Sequence, residues 1–278
     1  MERRGRTRHG AAVGAVRRHF DRLGDREWTR QDSDAKSRVS LEVHRRFLRR
    51  FVPRGAHVLE VAAGPGRFTT ELAAQGCRVV ATDSSPAHLA AHARRLRGTP
   101  AERGVLRREL LDVADTTRYG DGEFDAVLAF GAPLSSTSGP ACDALRGLLR
   151  VVAAGGVVVA SVVSLLGTWR HDLPDTDTPA GGIVIPAARG AADTLQPAAP
   201  GCRKFRWEDV VALVAEAGGT LVGGSASNWA SLGDRDVLAR LEADREGWRR
   251  FLEREIAACA EPGTRDGGTH ILFATRPA

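Results

Sequence analysis

One short segment, VLEVAAGPGRF at residues 58–68, combines an acid, closely spaced glycines and the expected start of a helix. Gly64 and Gly66 let the backbone approach a ligand closely, and the N–H groups at a helix N-terminus attract anions. Glu60 precedes the glycines, where it would repel a pyrophosphate but attract an ammonium group. The segment therefore predicts a site for a ligand that carries an ammonium and a carboxylate, although Glu60 alone could also serve as a helix-dipole partner.

Two further acids follow predicted strands at spacings that suit an adenosine ligand. Asp83, in VVATDSS (79–85), comes 17 residues after Gly66, where a carboxylate can accept hydrogen bonds from two ribose hydroxyls. Asp112, in ELLDVAD (109–115), can accept the adenine amino group, and the Val113 N–H can reach a ring nitrogen. A structural role stays open for each acid, as a cap of the next helix or as a turn residue.

The elements that position these residues follow a repeating strand–helix pattern, which is typical of a parallel sheet. Strands are predicted at 57–62, 78–82, 105–111, 124–130, 157–163, 220–223 and 270–275. Helices are predicted at 11–23, 40–51, 65–76, 85–96, 140–152, 205–218 and 234–259. Ligands in open α/β sheets bind outside the carboxyl ends of the strands, where Glu60, Asp83, Asp112 and Phe130 should meet.

The pieces VLEVAAGPGRF, VVATDSS, LLDVAD, FDAVLAF and LLRVVAAGGVVVASVV, over about residues 55–165, resemble class I S-adenosylmethionine-dependent methyltransferases. The resemblance implies an α/β, Rossmann-like sheet of seven mostly parallel strands with an antiparallel last strand, helices on both faces and an N-terminal helical cap. Its cofactor is S-adenosylmethionine, which leaves as S-adenosylhomocysteine. The residues expected to bind it are Glu60, Ala62, Gly64, Gly66, Asp83, Ser84, Asp112, Val113 and Phe130. Ala62 replaces the family's first motif glycine, which narrows the turn slightly.

Five segments are expected along the chain. They are a disordered basic tail (1–10), an N-terminal helical cap (11–52), the cofactor-binding core (53–166), a substrate lid inserted at 167–204, and the C-terminal part of the same α/β domain (205–278). The insertion is rich in Pro, Gly, Asp and Thr, and a segment of this length inside a compact domain usually has a function. We expect it to cover the acceptor.

Candidate acceptor residues lie in the cap and at the start of the insertion. Trp28 and His44 come from the cap and Trp169 from the insertion. The alternative for Trp28 is a packing anchor, and for His44 a surface or hydrogen-bonded position. His171 is the candidate general base. The four cysteines, Cys77, Cys142, Cys202 and Cys259, are scattered without a CxxC pair, so we expect buried small hydrophobes and no metal site.

The charge balance first points to nucleic acid, since the formal net charge is +6. Only Lys36 and Lys204 are lysines among the 40 basic residues, a choice that resembles the coding bias of a GC-rich genome. We therefore expect a small-molecule acceptor rather than a nucleic acid. The chain has no run of about 18 apolar residues, so we expect no membrane span, and we place the protein in the cytoplasm.

The sequence disfavours two kinds of nucleic-acid methylation. Methylation of exocyclic base nitrogens commonly uses an Asn/Asp-Pro-Pro-aromatic turn after strand four, where this chain has Phe130-Gly131-Ala132-Pro133. Cytosine methylation needs an activated Cys nucleophile, and Cys142 shows no activating neighbour in the sequence.

The leading hypothesis is an O- or N-methyltransferase of bacterial secondary metabolism (natural product biosynthesis). The alternatives are an NAD-binding Rossmann fold, a protein of the same fold that binds S-adenosylmethionine but catalyses another reaction, and a regulatory binding module. The oligomeric state stays open.

Overall fold

The computed structural model of the protein describes Trp28, residues 33–172 and residues 202–278. The predicted tail (1–10), the predicted helix at 11–23 and residues 173–201 of the predicted lid lie outside the described residues. Within the described part of the chain, no helix is both long and apolar enough to cross a membrane.

Seven strands form one mixed sheet, which confirms the predicted fold. They are β1 (His57–Val61), β2 (Arg78–Asp83), β3 (Val105–Leu110), β4 (Phe124–Ala129), β5 (Val152–Val163), β6 (Gly219–Ala226) and β7 (His270–Pro277). Their order across the sheet is β3-β2-β1-β4-β5-β7-β6, and β7 runs antiparallel to both of its neighbours. The other six strands share one direction, so the carboxyl ends of β1 to β5 lie along one edge. We call this side the carboxyl edge.

Eight helices are present in the described residues. They are α1 (Ala35–Phe51), α2 (Arg67–Ala74), α3 (Pro86–Leu96), α4 (Ala141–Arg150), α5 (Leu165–Asp172), α6 (Trp207–Glu216), α7 (Arg235–Ala243) and α8 (Arg245–Ala260). The predicted cap and first-turn pair of α3 is confirmed, since the Ser85 side chain accepts from the His88 N–H and Pro86 follows it. Asp34 caps α1 in the same way through the Ser37 N–H, so α1 begins five residues earlier than its apolar pattern predicts.

Two apolar layers hold the sheet between its helices. On one face, Leu59, Val61 and Phe124 pack with α4 and α6, and on the other face Val58 and Leu128 pack with α1 and α2. The central strands β1, β2 and β4 are buried on both faces and therefore read as nearly continuous apolar runs. Each fully buried Leu or Phe contributes about 1.5–3 kcal/mol, so this double layer makes the sheet a rigid support for its edge.

The helical cap has a second component that the sequence analysis assigned to the α/β domain. Val39 and Val43 of α1 share a small apolar core with Ala226 at the end of β6, Leu238 of α7 and Cys259 of α8. Part of the C-terminal segment therefore packs against the N-terminal helix.

Several predicted boundaries are wrong besides the start of α1, and β5 begins at Val152 rather than at residue 157. Helix α2 begins at Arg67 rather than Pro65, because Gly66 has a φ of 95° and cannot belong to a right-handed helix. The single helix predicted at 234–259 is two helices, because Asp244 is extended and its side chain caps α8. The first residues of the predicted irregular insertion are helical and form part of α5.

Candidate functional site

The turn after β1 holds three residues in the left-handed region: Ala62 (φ 57°), Gly64 (φ 54°) and Gly66 (φ 95°). Gly66 is the N-cap of α2, and no side chain of the described residues caps that helix, so its first N–H groups are left for a bound anion. A Cβ added at Gly64 would meet no described atom within 4 Å. The turn therefore presents an open backbone surface, and Ala62 holds a conformation that costs an L-residue about 1–2 kcal/mol.

The acid at the end of β1 is tied to a helix. Glu60 is buried, and the Thr69 hydroxyl of α2 donates a hydrogen bond of 2.5 Å to Glu60 Oε2. Burial raises the pKa of Glu60 to about 8 against the effect of the Thr69 hydrogen bonds, and the nearby Asp83 acts in the same direction as burial. The attraction of an ammonium group to Glu60 stays a prediction.

Sequence reasoning missed the residues that are hydrogen-bonded to Thr69 on the side away from Glu60. His92 Nε2, in α3, lies 2.8 Å from Thr69 Oγ1, and Arg108 Nε donates to His92 Nδ1 over 2.9 Å. Arg108 also pairs with Glu102 at 2.6 Å. The one signal in the sequence was the pair of histidines four residues apart, His88 and His92, which lie on one side of a helix.

Asp83, at the end of β2, fastens the glycine turn to the next helix. The Gly64 N–H donates to Asp83 Oδ2 over 2.9 Å, and the Ser85 N–H donates to Oδ1 over 2.8 Å. His88 Nδ1 lies 3.4 Å from Oδ2. The cap of α3 is Ser85, so Asp83 does not serve that alternative role, and Ser84 is exposed at this edge.

The acid after β3 lies in a turn. Asp112 Oδ1 accepts from the Ala114 N–H over 3.0 Å, which is the turn role left open above, and Oδ2 accepts from Ser138 Oγ over 3.3 Å. Val113 beside it is buried. Ser138 follows β4, so this contact joins the ends of β3 and β4.

Four rings meet where α1 crosses the carboxyl edge, and we call them the aromatic cluster: His44, Phe68, Phe130 and His270. The ring centroid of Phe130 lies 4.9 Å from those of both His44 and Phe68, and His44 lies 6.2 Å from His270. The edge-on geometry of His44 and Phe130 is a favourable aromatic arrangement. The cluster brings predicted residues Phe130 and His44 together with two that the sequence analysis did not select.

His44 has a defined tautomer. Its Nδ1 lies 2.7 Å from the Ser40 carbonyl oxygen, and because a carbonyl only accepts, the proton is on Nδ1. Nε2 is then the unprotonated acceptor, and it makes no hydrogen bond to the described residues. Burial lowers the pKa of His44 to about 4, so the ring is neutral at physiological pH.

Trp28 lies against two guanidinium groups beside the glycine turn. Arg67 is 3.8 Å from its ring centroid and Arg95 is 4.8 Å away, and Arg67 also donates to the Trp28 carbonyl over 2.6 Å. These contacts support the packing alternative for Trp28.

The candidates at the start of the insertion lie in α5. Trp169 is half-buried there. His171 Nε2 lies 3.1 Å from Lys36 Nζ, so the Lys36 ammonium occupies the ring lone pair that a general base would need. The geometry disfavours the proposed base role of His171.

A hydrogen-bond network fixes the start of β7. Ser227 Oγ accepts from the His270 N–H over 3.0 Å and donates to Asn228 Oδ1 over 2.8 Å, and Asn228 Oδ1 also accepts from the Thr269 N–H. Gly268 packs so closely on this network that a Cβ would lie 2.7 Å from the Asn228 carbonyl oxygen. The network sets the position of His270 in the aromatic cluster.

In the part of the chain that the structure describes, no group of three His, Cys, Asp or Glu side chains is arranged to hold a metal ion. The four cysteines form no disulfide; three are buried and Cys202 is partly exposed.

Residues 58–156 match the family model of a methyltransferase domain. Over 114 residues the chain is 39% identical to a demethylmenaquinone methyltransferase of Beutenbergia cavernae, a match that covers 40% of this chain and 42% of that protein. The chain thus spans less than half the length of this curated relative.

Solved structures share the fold. A methyltransferase complex with the Haloferax volcanii Trm112 activator matches with a TM-score of 0.62 and 17% identity, over 95% of this chain and 98% of that chain. The [4+2]-cyclase SpnF matches with a TM-score of 0.51 and 19% identity, over 84% of this chain and 78% of that chain. Residues 58–156 are thus similar to a methyltransferase domain, and the seven-stranded sheet has the fold of these solved structures.

Proposed function

We propose that this protein transfers a methyl group from S-adenosylmethionine to a small-molecule acceptor at the carboxyl edge. One observation carries the proposal: the Gly64 N–H binds Asp83 Oδ2, which fixes an open glycine turn against a carboxylate at the end of the neighbouring strand. A turn that is held by an acid and left open above its own backbone suits a ligand with both an amino-acid end and a ribose.

The residues present fit this ligand. The uncapped start of α2, with Gly64 and Gly66, would take the carboxylate of the methionine part. Glu60, whose pKa is about 8 without a ligand, would bind the ammonium in its ionised form, which the positive charge of the ammonium favours. Asp83 would accept from the ribose hydroxyls, because each oxygen has lone pairs beyond those that bind backbone N–H groups. Asp112 and Val113 would meet the adenine. Ala62, Ser84 and Phe130 would flank the ligand.

S-adenosylmethionine supplies, when bound, a methyl group that its sulfonium already makes electrophilic. The protein's residues orient the acceptor, and alignment of this kind contributes up to about 7–11 kcal/mol in favourable cases. His44 Nε2 would accept a hydrogen bond from the acceptor O–H or N–H. Because the pKa of His44 is lowered to about 4, its part is to hold that group in place rather than to remove the proton early. The aromatic cluster would exclude water from this point.

The acceptor side favours a small molecule over a nucleic acid. Burial raises the pKa of the Cys142 thiol, which opposes the activated thiolate that cytosine methylation needs.

The division of the chain into tail, cap, core, lid and C-terminal part stays a proposal, as does a role for residues 167–204 in covering the acceptor. We place the reaction in the cytoplasm and in bacterial secondary metabolism.

One specific observation keeps a second candidate open. The fold also serves the [4+2]-cyclase SpnF, and fold alone does not determine the reaction. Chemistry other than methyl transfer, or regulatory binding of the same ligand, would use the same glycine turn and Asp83. The two functions therefore differ in the acceptor reaction and not in ligand binding.

The first test is calorimetric titration of the protein with S-adenosylmethionine and S-adenosylhomocysteine. We expect Asp83→Ala to weaken the binding of both ligands by about 100-fold. The substitution removes charge-assisted hydrogen bonds to the ligand and the hydrogen bond that fastens the turn. Asp83→Asn keeps the shape and serves as a second variant if Asp83→Ala does not fold. The matched control is Asp115→Ala, which removes a carboxylate whose hydrogen bonds within the described residues come from the Thr117 N–H and hydroxyl.

The second test follows isotope-labelled methyl groups from S-adenosylmethionine into pooled small-molecule acceptors. A labelled product that depends on His44 and Asp83 would support methyl transfer. Binding of the ligand together with a product that gains no methyl group would instead support the second candidate, and no binding to folded protein would contradict both.

A further inference from the structure

A row of hydrogen-bonded side chains runs beneath the glycine turn to Glu60, and we call it the donor chain: Arg108, His92, Thr69 and Glu60. Its links measure 2.9, 2.8 and 2.5 Å from the arginine to the acid. Each link joins a different element, since Arg108 is in β3, His92 in α3, Thr69 in α2 and Glu60 in β1. Glu60, Thr69 and His92 are buried.

The direction of the donor chain follows from its first donor. The Arg108 Nε can only donate, so His92 Nδ1 accepts, and the neutral ring carries its proton on Nε2. His92 Nε2 therefore donates to Thr69 Oγ1, which leaves the single hydroxyl proton of Thr69 for Glu60 Oε2. Burial lowers the pKa of His92 to about 4, which agrees with a neutral ring. Every link thus points toward Glu60.

The donor chain also supports the turn from below. A Cβ added at Gly66 would lie 3.0 Å from His92 Cδ2, so the imidazole packs directly against the turn. At its outer end, Arg108 is held by the ion pair with Glu102, whose side chain is 38% exposed. The row therefore begins at the surface and ends at a carboxylate beside the proposed methionine site.

Packing alone does not require such a row. Replacement of buried polar groups by apolar ones of similar volume is often neutral or stabilising, so a fully satisfied polar row beneath a site points to a task. The task that fits is the orientation of Glu60. A carboxylate has about four acceptor positions, and the Thr69 hydroxyl and the Thr69 N–H, which both bind Glu60, set its rotation and leave the remaining positions for a further donor.

We propose that Thr69 and His92, anchored by Arg108, are positioning residues that orient Glu60 toward the ammonium group of the ligand. This inference rests on the proposed function. The donor chain acts on one part of the ligand only, so its loss should change recognition of the ammonium and leave the ribose and adenine contacts in place.

The experiment compares two ligands on matched variants of the full chain. The ligands are S-adenosylhomocysteine and its analogue in which hydrogen replaces the amino group. Thr69→Val removes the hydroxyl with little change of shape, and Thr69→Ser retains it. Thr70→Val is the control on the same helix, since among the described residues the Thr70 hydroxyl binds the Gly66 carbonyl oxygen alone. His92→Leu breaks the chain one link further away.

We expect Thr69→Val and His92→Leu to weaken the binding of S-adenosylhomocysteine about tenfold and that of the deaminated analogue less than about twofold. Thr69→Ser and Thr70→Val should bind both ligands like the unaltered protein. Equal weakening of both ligands by Thr69→Val would show that the donor chain only shapes the turn, which overturns this inference and leaves the proposed function standing. Failure of the unaltered protein to bind S-adenosylhomocysteine would overturn the proposed function as well.

Discussion

The two halves of the carboxyl edge are built in different ways. Around the ends of β1 and β2, Glu60, Thr69, Asp83 and His92 are buried and joined by hydrogen bonds of fixed direction. Around the end of β4 and the start of β7, the aromatic cluster presents rings, and His44 Nε2 is an acceptor whose protonation is fixed.

The difference separates two tasks. A buried polar group costs free energy unless its partners are in place, so the first half tolerates little change and suits a ligand that is always the same. Ring packing carries fewer directional requirements, so the second half can change with the acceptor while the fold persists.

The largest expected effect is a loss of stability on substitution of Gly66, in the first half, and Gly131 in the second half is its comparison. Gly66→Ala would place a Cβ 2.8 Å from Leu96 Cδ1 and 3.0 Å from His92 Cδ2 at a φ of 95°. His92 is held on two sides and cannot move without breaking the donor chain, so we expect a loss of about 3–4 kcal/mol in the free energy of unfolding. Gly131→Ala, at a φ of 80° with no described atom within 4 Å, should cost about 1 kcal/mol.

Urea denaturation of the two variants measures this contrast. Equal losses would show that the turn beneath the proposed cofactor site is no more tightly packed than the loop after β4, and the comparison between the halves would fail.

The next effect is on the pH dependence of stability, where Glu60 in the first half and His44 in the second should act with opposite signs. Glu60 has a pKa of about 8 in the folded protein against an ordinary 4.5, so the folded state holds the extra proton between these values. Stability should therefore fall by roughly 3 kcal/mol as pH rises from 4.5 to 7, and Glu60→Gln should remove that fall.

His44 should lower the stability of the protein at acidic pH. Its pKa is about 4 in the folded protein against an ordinary 6.5, so the unfolded chain binds more protons between these values, and stability should fall by roughly 2–3 kcal/mol as pH drops from 6.5 to 4.5. His44→Phe should remove this part, while His92, with a pKa also lowered to about 4, keeps an acid loss of its own. Unfolding curves at several pH values test both variants, and identical pH profiles for variant and unaltered protein would contradict the assignment.

The smallest effect concerns the two alanines in left-handed conformation, one in each half. Ala62 has a φ of 57° and Ala132 a φ of 59°. Glycine relieves about 1–2 kcal/mol of strain and costs about 0.5–1 kcal/mol of chain entropy, so Ala62→Gly and Ala132→Gly should each stabilise the protein by about 0.5–1 kcal/mol. Thermal melts measure the gain, with Ala63→Gly as the control beside the first site. A loss of stability in both glycine variants would show that neither backbone is strained.

Much of the fold could be predicted from local pattern. Alternating strand and helix segments, with acids placed after strands, gave all seven strands and the edge on which Glu60, Asp83 and Asp112 lie. The errors arose where one residue's backbone decided the outcome, as at Gly66 before α2 and at Asp244 between α7 and α8.

The sequence by itself determined the class of fold, the glycine turn and the acids beside it, because these depend on residues that are neighbours along the chain or on the regular alternation of strands and helices. Only the tertiary structure decided that Glu60 binds Thr69, that His92 and Arg108 lie behind it, and that His44 meets Phe130 and carries its proton on Nδ1. The physical reason is that a buried side chain takes its partners from whatever elements pack against it. His44 and Phe130 are far apart in sequence and meet only because α1 packs on the sheet whose edge includes the end of β4.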